Sequence, residues 1–231
     1  MGLHVPLRGK ALKPAAPPFA PALDPARVVL GDWWKDEDLP VAWDRILPGG
    51  PLHLEVGFGG GEFLLRRALA DPGGRYVGVD HFAEGHRRLL QAAGERGLSN
   101  VLSAVGDAFV AVNLLFADGS LESCTVNFPD PWPKARHARR RLFQEEFFRI
   151  AARKLRPGGR LYLATDDRPY ALQAAEEWPK VPLLESTHPE VPWLEASPHP
   201  FTTRYEERWR AQGRPLHYFV LARRRDAPRE V

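Results

Sequence analysis

The chain has 231 residues, 44% hydrophobic and 26% charged, enough for a full hydrophobic core and unlike a disordered or membrane-embedded composition. No apolar run is long enough to span a bilayer, prolines at 6, 14, 17, 18, 21 and 25 interrupt any secretory leader, and a single cysteine, Cys124, excludes an internal disulfide. A cytoplasmic location is therefore expected, and the net charge of +3 matters less than its layout: five of the eight residues from Lys134 to Arg141 are basic, while "DWWKDEDL" (32–39) is acidic.

Residues 1–40 form a proline- and alanine-rich extension with an acidic end, 41–225 carry the periodic patterns of a folded domain, and 226–231 are a short tail. "LHLEVG" (52–57) predicts a first strand, and "GEFLLRRALADPGG" a helix closed by a proline-glycine turn. "RYVGVD" (75–80) is a second strand and "AEGHRRLLQAAGERG" (83–97) a second helix. "NVLSAVGDA" (100–108) and "LESCTVNFPDP" (121–131) read as the third and fourth strands, Cys124 being a buried small hydrophobe in the latter. An amphipathic helix is expected from about Arg139 to Leu155, stopped by "RPGG" (156–159). A fifth strand (160–167), a helix (171–178) and two late strands (181–186 and 216–223) complete the series. Alternating strands and helices predict a doubly wound, mostly parallel α/β sheet, with the late strands added antiparallel at an edge.

Ligands of such sheets bind outside the carboxyl ends of the strands. Glu55 and Gly57, Asp80, Asp107, Asp130 and Asp166 fall at those ends one after another. In "EVGFGGGEF" the third glycine of a dinucleotide fingerprint would stand at 62, where the chain has Glu62, and no phosphate-loop lysine motif exists. The spacing Gly57-Gly59-Gly61 after Glu55 instead resembles the loop of S-adenosylmethionine-dependent methyltransferases, whose bare backbone approaches a cofactor with a cationic end. Asp80, 23 residues beyond Gly57, suits ribose hydroxyls, and Asp107 an adenine amino group. Each aspartate alone reads more readily as a helix cap or turn residue; their succession on strand ends outweighs that reading and favours a nucleoside ligand.

"NFPDPWPKARHARRR" closely resembles the signature of the tRNA (guanine-N7-)-methyltransferase family, and "VGVD", "GDAF", "ATDD" and "TTRYEER" (202–208) extend the likeness from about Trp43 to Ala222. The resemblance implies a Rossmann-like methyltransferase domain over 41–225, acting on tRNA with S-adenosyl-L-methionine, without a metal or a membrane, as a monomer or homodimer. By family position Asp130 is catalytic, and Glu55, Gly57, Gly59, Gly61, Asp80, Asp107 and Asp130 contact the cofactor. Lys134, Asp166, Thr203, Arg204, Tyr205 and Glu206 map to substrate contacts, although spacing alone would make Asp166 a helix cap and the others an ordinary loop. Asp80 stands where the family more often has glutamate. Arg136, Arg139, Arg140 and Arg141 are expected to hold phosphates. Trp132 either stacks on a base or packs in the core, the latter being favoured. The competing functions are methylation of an exocyclic base amine and tRNA binding without catalysis.

Overall fold

The computed structural model describes residues 39–226, Pro48 excepted; the expected extension (1–40) and tail (226–231) lie almost wholly outside the described residues. After a short helix α1 (Trp43–Ile46), strand β1 (Leu52–Val56) enters with every residue buried, as a strand covered on both faces must be. Next come α2 (Glu62–Ala70), β2 (Arg75–Asp80), α3 (Ala83–Glu95), β3 (Val101–Val105), α4 (Ala108–Leu115) and β4 (Leu121–Asn127). A 3-10 segment (Ala135–Arg140) leads to α5 (Glu145–Lys154), β5 (Leu155–Thr165), α6 (Arg168–Glu177), β6 (Leu184–Ser186), α7 (Arg204–Ala211) and β7 (His217–Arg223).

The sheet order is β3-β2-β1-β4-β5-β7-β6. Strands β1 to β5 run parallel, whereas β7 is antiparallel to β5 and β6 antiparallel to β7, as the sequence predicts. Strand order reverses between β1 and β4, so a crevice opens at their carboxyl ends. The main core packs β1, β4 and β5 against α4, α5 and α6, with Phe116, Phe143, Phe147, Phe148, Tyr170 and Cys124 fully buried.

Four local expectations differ. α4 was not anticipated, because "AFVAVNLL" is apolar almost throughout and shows no amphipathic period. α5 begins at Glu145 rather than near Arg139: the Tyr170 hydroxyl accepts from the Leu142 and Phe143 amides (2.7 and 2.9 Å), taking these residues out of any helical ladder. α5 does end at Lys154, just before "RPGG", but that segment already runs within β5 rather than ahead of it, with a shift in pairing register against β4 between Leu121 and Ser123. Finally, α7 replaces the loop that spacing alone suggested around residue 204. Among the described residues no helix is long and apolar enough to cross a membrane, and no group of His, Cys, Asp and Glu is placed to hold a metal.

Candidate active site

Between β1 and α2 the chain reverses in five residues, and Gly57, Gly59 and Gly61 do so at φ of +74°, +55° and +81°. A Cβ added at Gly57 or Gly59 would meet nothing within 4 Å, so this loop offers bare backbone to open space. Gly61 has a different reason: its Cβ would lie 2.6 Å from Leu89 Cδ1 of α3. Asp80 closes the loop from β2. Its Oδ2 accepts from the Gly59 amide (2.9 Å) and its Oδ1 from the Phe82 amide (2.9 Å). Gly85, on the first turn of α3, lets that helix approach so closely that any side chain there would collide with the Gly59 carbonyl oxygen.

Glu55 lies beneath this loop, 2% exposed. Its Oε1 accepts from Asn127 Nδ2 at 3.4 Å, and its Oε2 has no hydrogen-bond partner. Burial pushes its pKa from 4.5 up to about 7; Arg67 and the Asn127 bond oppose the rise, and the charges of Asp80 and Glu62 add to it. An unpartnered buried carboxylate oxygen beside exposed glycine backbone calls for a cationic or donor ligand group. Asp107 is indeed a helix cap, Oδ1 accepting from the Phe109 and Val110 amides (2.9 and 3.2 Å). The cap uses only Oδ1, so capping α4 and taking an external donor are compatible roles for this exposed residue.

Across the crevice, the chain leaves β4 at Asn127 through two non-glycine residues at positive φ, Phe128 (+50°) and Trp132 (+43°). They bracket Pro129, the exposed Asp130 and Pro131. The Phe128 amide donates to the Ala164 carbonyl (2.8 Å), and its ring packs against Tyr205 at 5.1 Å. Trp132 is half-buried and outside the core, set between the Arg140 guanidinium (4.9 Å from the ring centroid) and the edge-on His137 ring (5.6 Å), which differs from the favoured core reading. Lys134, Arg136, Arg139 and Arg140 are exposed on or beside the 3-10 segment. Arg141 is not among them: half-buried, it donates to the carbonyls of Pro131 (2.8 Å) and Trp132 (3.2 Å) and to Gln173 Oε1 (2.5 Å).

The first turn of α7 meets the same end of the sheet. Thr203 caps it, accepting from the Glu206 amide at 3.0 Å. Arg204 reaches Glu62 beside the glycine loop (3.2 Å), and the Tyr205 hydroxyl lies 3.5 Å from Asp166 Oδ1 at the end of β5. Asp166 also faces Arg214 (3.7 Å), whose guanidinium stacks on Trp209. Glu206 points inward, 2% exposed, and takes the Tyr218 hydroxyl (2.9 Å) and Arg210 (2.7 Å). These groups all stand at the carboxyl ends of the parallel strands: Asp80 holds the glycine loop, the 203–205 turn reaches Glu62 beside that loop, Asp166 and Phe128, Asp130 follows Phe128 in the chain, and Glu206 anchors the turn from below. Sequence reasoning passed over Asn127, Phe128, Gly85 and Arg214; only a polar residue ending an apolar strand hinted at Asn127.

Such a sheet, with acids and open glycine backbone at its switch point, is a methyltransferase architecture, and residues 49–219 match the family model described as "Putative methyltransferase". Two solved structures share the fold: the antibiotic-resistance methyltransferase Kmr (TM-score 0.56, 20% identity, 84% of this chain and 95% of that one) and TrmN from Thermus thermophilus (TM-score 0.53, 21% identity, 76% and 44%). The relatives narrow the class, and the chain belongs to the tRNA (guanine-N(7)-)-methyltransferase family. It is 34% identical over 222 residues to the member from Roseobacter denitrificans, spanning 94% of both chains. It is 43% identical over 139 residues to that of Streptomyces avermitilis, where the match covers 60% of this chain and 48%, about half, of the relative.

Proposed function

We infer that the protein methylates N7 of a variable-loop guanine in tRNA, forming 7-methylguanosine with S-adenosyl-L-methionine as donor, in the cytoplasm. The names of the relatives support this reading. The observation that carries it is the buried, unpartnered Oε2 of Glu55 next to the bare backbone of Gly57 and Gly59, which fits a ligand with a cationic end. When bound, S-adenosylmethionine supplies an electrophilic methyl group on a sulfonium centre.

The protein's own groups divide the remaining work. Glu55, Gly57, Gly59, Asp80 and Asp107 bind the cofactor, with Gly61 keeping the loop packed on α3. Guanine N7 carries an in-plane lone pair and no proton, so no general base is required, and the barrier falls through positioning and exclusion of water. Asp130, between two prolines at the crevice mouth, orients the guanine edge, borders the cofactor and stabilises positive charge as it grows on the base. Asp166, Thr203, Arg204 and Tyr205 place the base, Glu206 supporting them, and Lys134, Arg136, Arg139 and Arg140 hold phosphates.

Incubation with labelled cofactor and unmodified tRNA, followed by nucleoside analysis, tests the reading. Label in 7-methylguanosine is expected. Label on an exocyclic amine, or none, would overturn it.

A further inference from the structure

We propose that Arg141 is a positioning residue: it holds the Asp130 loop in its working shape by clamping the Pro131 and Trp132 carbonyls to α6, and it does not contact tRNA. The proposal rests on the functional reading above. In sequence Arg141 is the last member of a basic run and invites the same role as its neighbours. The structure separates it from them. Arg136, Arg139 and Arg140 are exposed, whereas Arg141 has Nε, Nη1 and Nη2 all engaged, to Pro131, Gln173 and Trp132, with its guanidinium 5.6 Å from the Tyr170 ring centroid. Three of its five N–H groups are thus committed to the protein, and the half-buried guanidinium is turned toward the loop and α6 rather than held free for a phosphate as its neighbours are.

The loop needs such a clamp for reasons of backbone chemistry. Pro129, Pro131 and Pro133 lack an N–H, so three of five consecutive residues cannot donate to any ladder that would fix the segment. Phe128 and Trp132 stand at positive φ, a conformation that persists only where the surroundings over-determine it. At the entry, the Phe128 amide is held by Ala164 of β5. At the exit, Arg141 takes the Pro131 and Trp132 carbonyls with one rigid fork. The fork itself is anchored on α6: Gln173 accepts from Arg141 and donates from Nε2 to the Phe143 carbonyl (2.9 Å), and the Tyr170 hydroxyl holds the Leu142 and Phe143 amides. Asp130 lies between the two fixed ends. A lysine could supply the charge but not three planar donors aimed at three acceptors.

The test compares the full-length protein with Arg141→Ala, Arg141→Lys and Gln173→Leu. Single-turnover methylation at saturating tRNA and cofactor is measured beside tRNA affinity at several salt concentrations and the NMR order parameters of the backbone amides from Phe128 to Lys134. Loosening the loop by about 1 Å is worth about a hundredfold in rate. Both Arg141 variants are expected to lose rate on that order, without rescue by lysine, while tRNA affinity and its salt slope stay at the parental value. Order parameters of the Asp130 and Trp132 backbone amides should fall, and Gln173→Leu should show a smaller change in the same direction. A parental saturated rate with the salt slope reduced by about 0.7 to 0.9 would make Arg141 a phosphate contact and overturn the proposal. Parental order parameters across the loop would overturn it equally, even if the alanine variant proved hard to assay. An inactive parent would instead count against the functional reading, and the order parameters would still decide the clamp.

Discussion

Replacing Glu55 with glutamine should remove a cost that burial imposes on the ligand-free protein, and the pH at which the cost disappears is set by the structure. The carboxyl is 2% exposed with Oε2 unpartnered, and its pKa rises from 4.5 to about 7. A raised value in the fold means that the folded chain holds this proton more tightly than the unfolded one. Below about pH 4.5 both states are protonated and nothing is lost; as pH climbs toward 7 the unfolded chain ionises first, so stability falls, and above about 7 the full cost of about 3 kcal/mol is present. His53 and His199 act with the opposite sign: burial lowers each to about 4, so their contribution is lost as pH falls from 6.5 toward 4. The informative quantity is thus the difference between parent and Glu55→Gln. Urea unfolding without cofactor at pH 5, 6, 7 and 8 should show the variant gaining about 2 kcal/mol on the parent between pH 5 and pH 7. Cofactor affinity should mirror this, since a cationic ligand favours the ionised carboxylate: the parent should bind more tightly as pH rises from 6 to 8, and the variant should lack that rise. Unfolding curves that stay parallel across the range would refute the account of Glu55 as a buried, poised carboxyl.

Three further outcomes are expected. Asp130→Ala should abolish single-turnover methylation while calorimetry finds cofactor affinity changed less than by loss of Glu55, because Asp130 mainly serves the base; retained activity would remove it from the mechanism. Gly85→Ala should weaken cofactor binding by displacing the Gly59 carbonyl and with it the loop, and an unchanged dissociation constant would show that the loop tolerates the shift. Changing Arg139 and Arg140 together to alanine should raise the tRNA dissociation constant and flatten its salt dependence by about 0.7 to 0.9 per lost contact, which filter binding measures directly; an unaltered slope would place the tRNA elsewhere.

The strand series, the parallel sheet with its antiparallel edge, and the acids at the ends of β1 to β5 were legible in the sequence. Period and punctuation are local properties, and a strand end followed by glycine or aspartate announces itself within a few residues. The motif from Asn127 to Arg141 likewise marked Asp130 and the basic run by composition. What local pattern could not convey was which way each group faces. Asp107 proved to be a cap without surrendering both oxygens, Glu206 turned inward to Tyr218 and Arg210, and Arg141 left the exposed cationic face for the Pro131 and Trp132 carbonyls. Neither α4 nor α7 was read from the sequence, the first because it is apolar almost all round and the second because it is polar almost throughout, its buried residue being Glu206, held by Tyr218 of β7. The poised state of Glu55 depends on burial beneath a loop held by Asp80 and admitted by Gly85, residues 25 and 30 positions away in the chain. Desolvation, close approach and the choice among competing acceptors are set by atoms distant in sequence, so only the tertiary structure decided them.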